Sequence, residues 1–298
     1  MAFDIGGTSV KLGITKEPSR FTLAPAERGF RIMDGKAVFL DGVRIVPILM
    51  HAPNQAFINL DTQCIYRCVF CNSWQLKEAW VKDYTVEKWA QLVIEASKRE
   101  GFRAVAITSS VPVSVKDTVD KIVRLLDILR KELPPGTPIG VEPCIDDPED
   151  IIRLKEAGVT ELKINVQAAS EAIFKKVCPG QSYGGIFEMI KEAGKHLPVC
   201  SNIILGLGES DEDVIRTIER LAKLKCTATL RAVRIDALNR GPLSKALGFE
   251  VRPVEPERLV RLATAQKSIF ERYGLDPADF STMCHRCVCC DIVPFKDV

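Results

Sequence analysis

Beyond Ala56 the chain alternates short apolar runs with segments whose apolar residues recur at three- and four-residue spacing, the pattern of strands each followed by an amphipathic helix. The strand candidates are Phe57–Leu60, Ala104–Thr108, Ile139–Glu142, Glu161–Val166, Val199–Leu205 and Thr229–Ile235. Helical periodicity covers 85–99, 116–132, 148–157, 183–195, 211–223 and 255–272. Ser210, followed three residues later by Asp213, reads as a helix cap and supports the strand-then-helix order there. Six such units imply a parallel α/β sheet, open or closed, because parallel neighbours need a crossover between them. Ligands of such sheets gather in the loops at the carboxyl ends of the strands. The first fifty residues are patterned differently. Arg31–Ile32, Ala37–Leu40 and Val43–Leu49 are separated by Asp34-Gly35 and Asp41-Gly42, dipeptides suited to tight hairpins. The expected organisation is a β-hairpin extension over 1–50, an α/β unit over 51–275 and a Cys-rich tail over 276–298.

Composition adds bounds. With 298 residues, 46% of them hydrophobic and 27% charged, the chain supports one sizeable core. Its 41 basic and 39 acidic residues are mixed along the sequence and leave a formal net charge of +2, so no strong field favours nucleic acid or an anionic membrane. Small molecules or proteins are the expected partners. No apolar run reaches membrane-spanning length and Met1 to Lys11 lack a signal-peptide pattern, so the cytoplasm is the expected compartment. Eleven cysteines is a large number for such a chain, and clustered thiols in a reducing compartment point to metal or catalysis. Seven fall in two groups, while Cys144, Cys178, Cys200 and Cys226 stand alone among apolar neighbours, where a thiol acts as a small hydrophobe.

The first group, Cys64-Ile-Tyr-Arg-Cys68-Val-Phe-Cys71, gives C-x3-C-x2-C directly after a strand candidate. Three thiolates on one loop can hold three irons of a cubane and leave the fourth open to a chelating ligand. Structural zinc, the competing reading, is closed by four ligands, and no fourth Cys or His lies nearby. With Phe70 before the last cysteine, this motif resembles the signature of the radical S-adenosylmethionine (SAM) superfamily. The resemblance runs from about Phe57 to Phe270 and is strongest to the biotin synthase and lipoyl synthase branch. It implies a partial (β/α)6 barrel, a [4Fe–4S] cluster held by Cys64, Cys68 and Cys71, and SAM on the open iron. Ile107-Thr108-Ser109 is similar to a strand end of lipoyl synthases, and Ile164-Asn165-Val166-Gln167 to another. Val199 to Glu209 resembles a Gly-x-Gly-Glu segment shared by both families, and Val233 to Leu243 a late strand of biotin synthases. The resemblance thus implies Phe70, Thr108, Ser109, Asn165, Gln167, Gly206, Gly208 and Glu209 as cofactor-binding residues, and Asp236, Asn165 and Gln167 as catalytic ones facing the lumen. The plainer alternatives are exposed strand-end polar residues and an ordinary glycine loop before a helix.

In the second group, Cys284, Cys287 and Cys290 give C-x2-C-x2-C, with Cys289, His285 or Ser281 as the fourth ligand. An auxiliary [4Fe–4S] cluster is the expectation; zinc bound by the four thiolates, or a redox-active thiol pair, is the alternative. Both families that the chain resembles insert sulfur. Biotin synthases hold their second cluster on barrel strands, where only Cys200 has a counterpart here, and ordinary lipoyl synthases place those cysteines before the radical signature. The pattern is most similar to the archaeal two-protein lipoyl synthase. The expected function is therefore insertion of sulfur into C–H bonds of an octanoyl chain on a carrier protein or peptide, with a second radical SAM protein and an electron donor such as ferredoxin as partners. The alternative is another radical SAM enzyme, biotin synthase-like or peptide- or small-molecule-modifying, whose second cluster relays electrons. A metal-binding scaffold without catalysis is a third reading. Finally, Phe3 to Lys11 resembles a phosphate loop of sugar kinases, but the second loop and catalytic Asp of those enzymes are missing, so Gly6-Gly7 is expected to be a turn in the hairpin region.

Overall fold

The computed structural model describes residues 1–14, 18–75 and 84–298. Segments 15–17 and 76–83, which fall within the expected extension and the expected barrel, lie outside the described residues. Six strands form one parallel sheet: β6 (Gln55–Asn59), β7 (Ala104–Thr108), β8 (Ile139–Glu142), β9 (Glu161–Lys163), β10 (Val199–Leu205) and β11 (Cys226–Ala232), hydrogen-bonded in sequence order. Helices α1 (Val86–Ser97), α2 (Val115–Glu132), α3 (Pro148–Glu156), α5 (Tyr183–Ala193), α6 (Asp211–Lys223) and α8 (Pro256–Tyr273) match the expected periodic segments to within two or three residues. Their apolar faces pack on the sheet; in β10, covered on both sides, all seven residues are buried, as parallel strands require. Ser210 and Asp213 cap α6 reciprocally. No ladder joins β6 to β11 among the described residues, yet Phe57 and Arg231 from these two edge strands line one cavity, so the sheet curves around it.

Two boundaries differ from expectation for local reasons. Strand β9 ends at Lys163 because the ladder slips there: Val166 N donates to the Ser201 hydroxyl, and Gln167, at a positive φ of 61°, takes the bond to Asn202 O and pairs with Ile203 as an isolated bridge. Strand β11 lies three residues earlier than expected, since Asn239 folds back to accept from Asp236 N and to donate to Arg234 O, ending extended structure there. Helices α4 (Glu171–Val177) and α7 (Arg240–Leu247) were not expected. Seven residues is too short for periodicity to show, and Gly241-Pro242 reads as a turn although proline is tolerated in a first helical turn.

The extension is a five-stranded antiparallel sheet of order β2-β1-β5-β4-β3, made from β1 (Ala2–Ile5), β2 (Thr8–Lys11), β3 (Phe21–Pro25), β4 (Phe30–Asp34) and β5 (Ala37–Ile45). Gly6-Gly7 is the two-residue turn between β1 and β2, with φ of 60° and 91°. Asp34-Gly35 opens the β4–β5 hairpin as expected, but Asp41-Gly42 does not make a second one. It is a bulge inside β5: the register slips by one between Ile32↔Leu40 and Phe30↔Val43, Gly42 takes φ 68°, and its N–H is held by the Asp41 carboxylate.

The tail runs under the amino ends of the parallel strands and includes the short helix α9 (Met283–Cys287). The Gln55 side chain bonds both the N–H and the carbonyl of Met283, and the Glu161 carboxylate accepts from Ser281 N and from Thr282. Lys11 N, at the end of β2, donates to Cys289 O at 2.9 Å, so the extension closes over the same region.

Candidate active site

Cys64, Cys68 and Cys71 line a cavity of about 490 Å³ together with residues at the carboxyl ends of β7, β8 and β9. The loop that carries them is anchored at both ends: Ile65 N donates to Val111 O and Val69 N to Val177 O, both at 2.8 Å, and Arg67 between them adopts a φ of 49°. Gln181 Nε2 lies 3.1 Å from Cys68 Sγ, and the Trp74 indole holds Cys68 O at 3.1 Å. A hydrogen bond from Cys178 lowers the Cys68 thiol, whereas burial raises that of Cys71. Cys144, read from sequence as an isolated hydrophobe, also lines this cavity, its thiol pushed up to about 12 by burial and then by Cys64 and Cys68.

The expected cofactor residues divide. Phe70, Ser109, Asn165 and Gln167 line the cavity. Thr108 does not; its hydroxyl bonds Ile58 O and Asn59 Oδ1 within the sheet. Gly206, Gly208 and Glu209 do not either. The Glu209 carboxylate is fully buried and accepts from Gly206 N and Leu207 N at 2.8 Å and from Arg258 at 2.9 Å, so it closes its own loop onto α8. Gly206, at φ 93°, sits where a Cβ would press on Val254 and Val233, a packing reason for glycine. Asp236 also lies outside the cavity. Its carboxylate accepts from Asn72 Nδ2 at 2.5 Å and Leu238 N at 2.9 Å, bracing the chain just after Cys71.

A second cavity, of about 100 Å³, is lined by all four tail cysteines, Cys284, Cys287, Cys289 and Cys290. His285 and Ser281 are not part of it: His285 is fully buried with Nε2 bonded to Thr227 at 2.8 Å, and Ser281 is exposed. The remaining wall holds Lys11, His51, Gln55, Glu142, Arg231 and Asp291, none of them singled out by the sequence. Lys163, 1% exposed, places Nζ 3.1 Å from Cys284 Sγ and 3.5 Å from Glu142 Oε2. Burial opposes its charge, but the Cys284 sulfur and Glu142 outweigh this and keep the ammonium above its usual range. Arg231 donates to both oxygens of Asp291, at 2.6 and 2.8 Å, and reaches Cys284 Sγ at 3.4 Å. Burial, then Lys11 and Arg231, push His51 down to about 4, leaving a neutral imidazole at pH 7. The signal for Lys163, Arg231 and Glu142 was present: charged residues inside strands of a parallel sheet are buried and must find partners.

Glu142 lines both cavities. One carboxylate oxygen accepts from Asn165 Nδ2 on the side of the first cysteine group, and the other faces Lys163 on the side of the tail. Among the described residues no three His, Cys, Asp or Glu side chains converge on the position of a single ion.

The sequence matches the family model "Radical SAM superfamily" over residues 58–221, more than half of the chain. The chain belongs to the radical SAM superfamily. It is similar to biotin synthases, 28% identical over 207 residues to that of Acetivibrio thermocellus and 27% over 213 residues to that of Aquifex aeolicus. These alignments cover 66% and 69% of this chain and 60% and 59% of the relatives, so the chain spans about 60% of their length. Among solved structures, methylornithine synthase matches with a TM-score of 0.59 and 22% identity, covering 71% of this chain and 62% of that one. The FeFe-hydrogenase maturase from Carboxydothermus hydrogenoformans matches with a TM-score of 0.60 and 14% identity, covering 74% and 52%. Identities this low speak for the fold alone. Membership of the radical SAM superfamily implies a [4Fe–4S] cluster and SAM, and the first cavity fits them in its donor set: three thiols of one loop open on a single space. No helix among the described residues is long and apolar enough to cross a membrane.

Proposed function

We propose that this radical SAM enzyme inserts sulfur into unactivated C–H bonds of an octanoyl chain on a carrier protein or peptide, as a component of a lipoyl synthase-like system. In this reading Cys64, Cys68 and Cys71 hold the cluster that binds SAM, and Cys284, Cys287 and Cys290, with Cys289 alongside, hold a second [4Fe–4S] cluster. When bound, these groups supply a primary carbon radical that removes one hydrogen atom from the substrate, and a sulfide that captures the resulting carbon radical while one electron passes to iron. The observation that carries the reading is Glu142: its side chain lines both cysteine-lined cavities, so the two adjoin through the interior of the sheet.

The chain's own residues supply position and exclusion of water. Ile145, Ile164, Ile186 and Met189 give the larger cavity an aliphatic wall suited to an acyl chain. Asn165 and Lys163 fix the Glu142 carboxylate from opposite sides, which keeps the partition between the cavities in one geometry. A second radical SAM protein and a donor such as ferredoxin complete the system. The second reading, a tail cluster that only relays electrons, draws on the same proximity.

Reconstituted protein incubated with SAM, a reductant and an octanoylated lysyl peptide separates the two. A gain of sulfur in the peptide mass supports insertion. Formation of 5′-deoxyadenosine with no sulfur gained contradicts insertion and favours the relay.

A further inference from the structure

The tail offers four thiols, but the second cavity has one more donor of a different kind. His51 comes from the segment between β5 and β6, more than two hundred residues away in sequence, and lines the same wall as Cys284, Cys287 and Cys290. Its ring packs on Phe57 with centroids 4.5 Å apart, which fixes its orientation on the rim of the sheet. No hydrogen bond engages its imidazole among the described residues, so its ring nitrogens are uncommitted on the cavity wall. His285 differs on each count: it lies outside the cavity, and its Nε2 is taken by Thr227.

Cys289 is engaged differently from Cys284 and Cys290. Its carbonyl is pinned by Lys11 N, and its side chain shares a small apolar cluster with Cys287, Ala2 and Ala52, hydrogen-bonded to Cys287 and to Ser9. It therefore lines the cavity from the side of the extension, held there by Ser9 and Lys11. The three cysteines of C-x2-C-x2-C spacing give three corners of a cubane, and His51, which makes no hydrogen bond among the described residues, is the imidazole on the wall that can fill the fourth.

We infer that His51 is the fourth ligand of the second cluster, which makes that cluster a joint product of the tail and the segment joining the extension to the sheet. The inference rests on the reading that the tail cysteines hold a cluster. It deepens that reading by naming an imidazole at one iron, and it explains why the extension is folded against the tail.

The test isolates the second cluster in full-length protein carrying Cys64→Ala, Cys68→Ala and Cys71→Ala, labelled with ¹⁵N-histidine and reconstituted anaerobically with iron and sulfide. About four irons per chain are expected. Electron spin echo spectra of the reduced cluster should show a coupling that changes with the histidine label. That coupling should be lost in His51→Gln and in His51→Cys, while His51→Cys, which restores a ligand, keeps the iron. In Cys289→Ser it should persist. A label-sensitive coupling that survives His51→Gln, or none in the parent protein despite bound iron, overturns the ligand assignment alone. Failure of the parent protein to bind iron overturns the tail cluster itself.

Discussion

The two cysteine groups sit at opposite ends of one curved sheet and are built in opposite ways. The first occupies a single loop of eight residues after β6, opens on a wide cavity and has polar neighbours at strand ends. The second draws on the tail, on β6, β7, β8 and β11, and on the segment before the sheet, and it surrounds about 100 Å³ with ionic side chains, of which Asp291 is buried and Glu142 and Arg231 partly so. On the proposed reading the contrast matches two duties. The wider site admits a cofactor and a substrate, whereas the smaller one would hold its cluster among charges fixed by their own partners.

The largest effects come from removing either group outright. Replacing Cys64, Cys68 or Cys71 with Ala should abolish formation of 5′-deoxyadenosine, measured by chromatography, because each of the three thiolates holds one corner of the cluster. Replacing Cys284, Cys287 and Cys290 together should lower bound iron by about four per chain and abolish sulfur transfer, yet leave SAM cleavage in place. If both sets abolish cleavage, the two regions do not have separable roles.

The next effect tests the ion pair between them. Lys163→Met leaves the Glu142 carboxylate without its ammonium partner; with Glu142 a quarter exposed and still bonded by Asn165, the cost is on the order of 1–3 kcal/mol in denaturant titration. Adding Glu142→Gln should recover much of that loss, since the double change removes both charges. Additive losses would mean that Lys163 answers chiefly to other groups, such as Asp291.

An effect of similar size should fall on one region alone. A Cβ on Gly140 would collide with Thr282 Oγ1 and Met283 Cγ, so Gly140→Ala should push the tail away from the sheet at a cost of about 1–3 kcal/mol. Iron in the second site should drop while the first site keeps its cluster. The smallest change is expected from Asp236→Ala, which removes the acceptor for Asn72 and loosens the first cysteine loop by about 1 kcal/mol. Weaker SAM binding with unaltered tail iron is the outcome to look for.

The same contrast explains what the sequence disclosed. The first site was legible because its ligands are neighbours in the chain and its supporting strands, such as Ala104–Thr108 and Ile139–Glu142, show unbroken apolar runs with helices at regular spacing. Spacing also singled out the tail thiols, which the structure brings to one cavity. It could not show that Lys11 and His51 close the same cavity, because contacts between remote segments leave no periodic trace. Likeness to a family motif misplaced Glu209 and Asp236, whose carboxylates are spent on nearby backbone and side-chain donors. Asp41-Gly42 was misread as a hairpin because a glycine at positive φ serves a bulge as well as a turn.

The central claim is that the tail region supplies the sulfur that the first region's chemistry attaches. It is tested most directly by reconstituting the protein with iron and heavy-isotope sulfide, removing unbound sulfide, and allowing one turnover on an octanoylated lysyl peptide with SAM and reductant. The account predicts heavy sulfur in the peptide, at no more than about one atom per chain, and none from the variant lacking Cys284, Cys287 and Cys290. Heavy sulfur transferred equally well by that variant, or deoxyadenosine formed with no sulfur in the peptide, would contradict it.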